Sequence, residues 1–142
     1  MAFPKIIQIP EGDEGALQYH YKRTEVSSAQ ILTLNSAPLE LVEAPGAGYV
    51  LSPMEMIIDY QFETIAYATN TRLQLINDSA DVYMNDDGPL PSIIDYISIG
   101  SVPLFPTPAH ENESLRLTVN TGDPTAGDGT LTIHLWYIKL LL

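Results

Sequence analysis

From residue 24 to the end of the chain, apolar side chains recur at every second position in short runs, and clusters of glycine, proline, asparagine or aspartate stop each run. A period of two is the repeat of an extended strand, whose side chains point alternately to a core and to water. Helical spacing, with apolar residues three and four apart, is rare. Arg72-Leu73-Gln74-Leu75 and Leu115-Arg116-Leu117-Thr118-Val119-Asn120 alternate in this way. Val50 to Tyr60 is a longer candidate, with Val50, Met54, Met56, Ile58 and Tyr60 expected on one face. Pro53 has no N–H to give to a ladder, so this strand is expected at a sheet edge or bulged near that residue. Turn signals fall at residues 44–48, 85–89, 103–108 and 122–129. Short strands between such turns predict an all-β fold, an antiparallel sandwich or barrel. Two segments, Ser27–Leu32 with serine as its cap and Ser92–Tyr96, are expected as short helical turns.

The last candidate strand, Thr130–Leu142, changes character along its length. Leu131, Ile133, Leu135 and Tyr137 make one apolar face, while Thr130, Thr132 and His134 make the other polar. Beyond His134 the second face becomes an apolar stripe of Trp136, Ile138, Leu140 and Leu142. A strand that starts one-sided thus ends with both faces wanting cover. Burying each of those four side chains stabilises by roughly 1.5–3 kcal/mol, enough in sum to drive association of identical copies, the preferred explanation. The alternative is cover from the second sheet or from the start of the same chain.

Charge divides the chain. Residues 1–23 are neutral, with Lys5, Lys22 and Arg23 against Glu11, Asp13 and Glu14, so the whole net charge of −12 sits on residues 24–142. The first segment sets Pro4, Pro10, Gly12 and Gly15 between two adhesive clusters, Phe3 with Ile6, Ile7 and Ile9, then Tyr19 and Tyr21. That composition suits an extended arm over residues 1–23 laid on a neighbouring surface, followed by one domain over 24–142; a first strand of the domain is the equal alternative. With 142 residues there is room for one core. The excess of 18 acids over 6 basic residues argues against a nucleic-acid partner, whose backbone is bound by displacing counterions with lysine and arginine. The amino terminus lacks the basic region and apolar run of a signal peptide, and Lys139 interrupts a terminal apolar stretch far short of the ~20 residues that cross a bilayer, so no membrane partner is expected.

No chemistry-bearing motif survives inspection. Zero cysteines exclude disulfides, thiolate metal sites and a cysteine nucleophile. Gly122 and Gly127 have the spacing of a phosphate loop, but Asp128 stands where that loop needs lysine, and Gly46-Ala47-Gly48 lacks the third glycine of a dinucleotide fingerprint. Asp123, Asp128 and Asn85-Asp86-Asp87 lie in glycine-containing loops without a regular calcium-loop spacing, and aspartate and asparagine favour turns for their own hydrogen bonding. His20, His110 and His134 are scattered, and no serine sits in a nucleophile elbow. The expectation is therefore a non-enzyme with no catalytic residues, no metal and no cofactor.

The run Ser28-Ala29-Gln30-Ile31-Leu32-Thr33-Leu34-Asn35-Ser36-Ala37-Pro38-Leu39-Glu40-Leu41-Val42-Glu43-Ala44-Pro45-Gly46-Ala47-Gly48 resembles the opening of a family of small tailed-phage and prophage structural proteins. The closing run Thr121–Leu131, with the strand that ends near Tyr137, is also similar to its members, and the two runs together cover about a quarter of the chain. The resemblance implies a jelly roll of the tumour-necrosis-factor type that forms a homotrimer and decorates or cements the outer surface of a phage head. Its partners would be itself and the major capsid protein, and its location the exterior of the virion, after assembly in the host cytoplasm. Trp136, Ile138, Leu140 and Leu142 would then form the trimer interface, and Phe3, Ile6, Ile7, Ile9, Tyr19 and Tyr21 a capsid-docking arm. Trp136, the tail Lys139-Leu140-Leu141-Leu142 and the arm depart from the family pattern. The second expectation is a trimeric fibre or adhesin domain recognising a host glycan through loops at 86–91 or 103–110.

Overall fold

Eight strands and one helical turn follow one another in a computed structural model that describes residues 17–101 and 110–142. They are β1 (Leu17–Val26), α1 (Ser28–Ile31), β2 (Leu39–Val42), β3 (Tyr49–Gln61), β4 (Leu73–Asn77), β5 (Val82–Asp86), β6 (Tyr96–Ser101), β7 (Leu115–Val119) and β8 (Thr130–Leu141). The strands form two four-stranded antiparallel sheets, ordered β1-β8-β3-β6 and β2-β7-β4-β5. β1 lies beside β8, β2 beside β7, β3 beside β6 and β4 beside β5. The chain is thus a long folded ribbon wrapped into a sandwich, the strand order of a jelly roll.

Alternation explains the core. On β8, Leu131, Ile133 and Leu135 are buried, as expected, while Thr130, Thr132 and His134 face outward. Met56, Ile58 and Tyr60 of β3 lie opposite them and share the inner face. Across the sandwich, Leu73 and Leu75 of β4 and Leu115 and Leu117 of β7 close the core. The helical turn expected at Ser27–Leu32 is present: Ser27 and Gln30 exchange side-chain to backbone hydrogen bonds in a capping box, and Ile31 is buried beneath it. Thr118 Oγ1 donates to the Leu34 carbonyl at 2.9 Å and ties this turn to the second sheet.

Two sequence expectations need correction, the common face of Val50, Met54, Met56, Ile58 and Tyr60 and the helical turn at Ser92–Tyr96. Of the two places expected for Pro53, an edge or a bulge, the second is found: β8 and β6 flank β3, and a bulge between Pro53 and Glu55 accommodates the proline. That extra residue inverts the alternation, so Val50 points away from the face of Met56, Ile58 and Tyr60, and Met54 is exposed. Ser92–Tyr96 is no helix: the Ser92 hydroxyl donates to the Ile94 carbonyl and accepts its N–H, which holds a bend before β6 begins at Tyr96. Residues 17–23, for which an arm and a first strand of the domain are equal expectations, lie in β1, which pairs with β8 from Leu17 opposite Leu140 to Val26 opposite Leu131. The flank of β8 away from β3 needs a ladder partner, and the alternation of Tyr19 and Tyr21 with polar neighbours supplies one.

The aspartates of the glycine-containing loops act as staples. Asp123 Oδ1 accepts the Asn35 and Ser36 N–H groups at 2.8 and 2.9 Å. Asp128 Oδ1 accepts those of Thr64 and Ile65, each at 2.9 Å, and its other oxygen takes the Thr64 hydroxyl. These bonds favour the ionised form and hold both carboxyls below the ordinary range: for Asp128 the Thr64 hydroxyl leads, for Asp123 the Ser36 N–H. Asp87 pairs with Arg72 at 2.7 Å, and Asp86 accepts from Gly88 N and the Ser98 hydroxyl. Gly127 sits at φ +91°, and a Cβ there would lie 2.3 Å from the Tyr67 ring, so no other residue fits the turn between the staples.

Candidate functional site

The register of the first sheet places the expected interface residues. Odd positions of β1 and even positions of β8 point outward together, so Tyr21 lies opposite Trp136 and Tyr19 opposite Ile138. The Tyr21 and Trp136 rings are 5.0 Å apart, and His134 stacks on both, with centroids 6.0 Å from Tyr21 and 6.4 Å from Trp136. The Tyr21 hydroxyl shares a 2.8 Å hydrogen bond with His134 Nδ1. Two groups given separate roles in the sequence, the stripe of β8 and the tyrosines of the arm, are therefore one aromatic surface. Leu140 continues it more openly, while Leu142, 70 % exposed, lies past the last strand with its N–H bonded to the Gly48 carbonyl at 2.8 Å. Phe3, Ile6, Ile7 and Ile9 lie outside the described residues.

The same face carries residues that the sequence reading missed. Opposite His134 stands Ile57 of β3, and opposite Ile57 stands Ile99 of β6. Ile97 is the next outward residue on β6, facing Asp59. Ile97 and Ile99 are 67 and 69 % exposed, whereas Ser98 and Gly100 point to the interior. The alternation of β6 is thus inverted, with the greasy face on the water side. Met84 of β5 packs close over Gly100, its Sδ 2.4 Å from where a Cβ would lie, so a larger residue there would make the Met84 side chain move. Ile-Ser-Ile-Gly is visible in the sequence, but only the pairing partner tells which side of it is outward.

Between these elements runs an open groove lined by Tyr19, Tyr21, Met54, Glu55 and Trp136. Its walls are mainly apolar and aromatic, with His20 and Glu55 among the lining residues, while Arg23, Glu25 and Asp59 lie at other positions of the same sheet. The bulge at Pro53 is what sets Met54 beside Trp136. Such a surface can bind by burying area and by stacking.

The histidines stay apart in their roles. His20 stacks on Tyr137 at 5.1 Å, His110 bonds Asp81 at 2.8 Å, and His134 bonds Tyr21. Among the described residues no group of three or more histidine, aspartate or glutamate side chains converges as metal ligands would. Asp78 is drawn three ways: burial raises its pKa, but the Ser114 N–H and hydroxyl and the Arg116 guanidinium together bring it below the ordinary value, as suits a structural ion pair. No helix among the described residues is long and apolar enough to cross a membrane.

Comparison with known proteins adds little. No family profile matches the sequence, and no curated protein matches it. Among solved structures the chain is similar to a chain of the cyanophage Pam1 capsid asymmetric unit, with a TM-score of 0.48 and 12 % identity over 95 % of this chain and 93 % of that one. A likeness at that score carries no functional argument.

Proposed function

We propose that the chain is a structural protein of a phage virion, a homotrimer that decorates and stabilises the outer surface of the head. The observation that carries the association is the outward face of the first sheet, where Tyr19, Tyr21, Trp136, Ile138, Ile57 and Ile99 form one apolar surface in a single copy. Three copies meeting along an axis cover it without open-ended growth. The virion setting rests on the resemblance of residues 28–48 and 121–131 to small phage structural proteins, with which the jelly-roll strand order agrees. In this reading the acidic outer surface keeps trimers soluble and apart, and each trimer bridges neighbouring capsid subunits, adding interface that opposes their separation.

The test is the native mass of the purified protein over a range of concentrations, followed by binding to heads that lack it. A trimer that binds the heads supports the reading. A monomer at millimolar concentration removes its basis. A second reading, a glycan-binding fibre domain, draws on the same Tyr21 and Trp136 rings beside Glu55, since aromatic faces stack on sugar rings. Binding of the isolated protein to a glycan array, without binding to heads, selects it instead.

A further inference from the structure

β6 ends the first sheet, and among the described residues no further strand pairs with its outer edge. The strand pairs with β3 on one side only, and no backbone group of Tyr96–Ser101 has a partner on the other side among the described residues. Sheet edges are ordinarily protected by lysine, proline, a bulge or a covering segment. Tyr96-Ile97-Ser98-Ile99-Gly100-Ser101 has no charge and no proline, and its ladder to β3 runs without a register shift. Its inner side is sealed to β5 by the Ser98 hydroxyl on Asp86 and by Met84 over Gly100, so among the described residues what stays uncovered is the edge itself and the outward pair Ile97 and Ile99.

We propose that this edge receives the segment Lys5–Ile9 of a neighbouring copy as an added strand. The inference rests on the reading that copies associate. Three features of the segment match the edge. Five residues, Lys5-Ile6-Ile7-Gln8-Ile9, lie between Pro4 and Pro10, close to the six residues of β6, and the prolines end the ladder and protect the new edge that addition creates. Alternation puts Lys5, Ile7 and Ile9 on one side, where the isoleucines extend the apolar row of Ile97 and Ile99. Residues 1–10 hold one lysine and no acid, whereas β3 presents Asp59 and Glu55 on the outward face beside β6.

The donor is another copy because of where the described chain begins. Leu17 starts β1 at the opposite edge of the same sheet, with β8 and β3 between, a width of about 14 Å. Reaching β6 of its own copy would take residues 10–16 across the outward face, which the proposed trimer occupies. Donation from one edge of a copy to the opposite edge of the next is a head-to-tail contact, used once per copy in each direction, and it closes in a ring of three.

The chain has no cysteine, which makes a cross-linking test clean. Full-length single variants Ile7→Cys and Ile9→Cys are each co-expressed with Ile97→Cys and Ile99→Cys, the two chains carrying tags of different length, and oxidised. The expected result is a disulfide between differently tagged chains in at least one of the four pairings, reduced at least tenfold when Asp59→Lys is added to the acceptor chain. Native mass under reducing conditions is measured on the same samples. A trimer in which none of the pairings cross-links, or in which the double variant Ile7→Cys/Ile99→Cys forms its disulfide only within one chain, overturns this inference and leaves the trimer standing. A monomer overturns both.

Discussion

Replacing Trp136 by alanine separates association from folding, because the side chain lies on the outward face and not in the core. In one copy the substitution removes the stack on Tyr21, an aromatic pair worth about 0.5–1.5 kcal/mol, and leaves Leu131, Ile133 and Leu135 untouched. Trp136 is partly buried by its own copy, so the proposed trimer would have of the order of 60 Å² of it left to cover, about 1.5 kcal/mol per copy at 25 cal/mol/Å². Three copies lose about 4.5 kcal/mol together, some three powers of ten in the overall dissociation constant. Since that constant scales as concentration squared, the midpoint of dissociation rises about 40-fold. Sedimentation equilibrium over three decades of concentration reads the midpoint, and far-ultraviolet circular dichroism checks that the sandwich is intact. A midpoint within threefold of the parent, with the fold preserved, would refute the assignment of this face to the interface.

Other predictions concern the fold. The Tyr60 hydroxyl is buried and has no hydrogen-bond partner among the described residues, so Tyr60→Phe is expected to stabilise by about 1 kcal/mol, read as a higher urea midpoint. Gly127→Ala forces an ordinary residue to φ +91° and drives its Cβ into the Tyr67 ring, with an expected loss of about 2–4 kcal/mol in the same assay; a neutral result would mean that the turn moves freely. Asp123 and Asp128 have folded-state pKa values below their ordinary ones, so the unfolded chain binds more protons in acid. Their stabilisation is complete above about pH 4, the ordinary carboxylate value, and is lost as pH falls through the folded-state values. The melting temperatures of Asp128→Asn and the parent should therefore differ at pH 7 and converge below pH 4; a gap constant with pH contradicts the staple.

How far the fold was legible depended on whether a feature is local. Alternation in Thr130–Leu142 placed Leu131, Ile133 and Leu135 inside, and Ser27 with Gln30 announced the capped turn, because both signals lie within a few residues. Pro53 announced an edge or a bulge without choosing between them: the bulge keeps a proline in a central strand, and its inversion of Val50 and Met54 depends on the register with β8. The surface was half legible. Trp136 and Ile138 stood out because they break the pattern of their own strand. Tyr19 and Tyr21 were separated from them in sequence, and only pairing with β8 brought them opposite. Ile97 and Ile99 look like core residues in sequence; what turns them outward is that Ser98 and Gly100 face the close approach of β5.

The bulge at Met54 also decides where this strand tolerates a change of length. One residue there is supernumerary, so losing it joins Pro53 to Glu55 and leaves Leu51 and Met56 on the core side as before. Losing a residue at Ile57 instead would swing one arm of β3 through half a turn and trade its greasy side for its wet one. A single-codon deletion is therefore neutral at one point of the thirteen-residue ribbon and ruinous a few positions away.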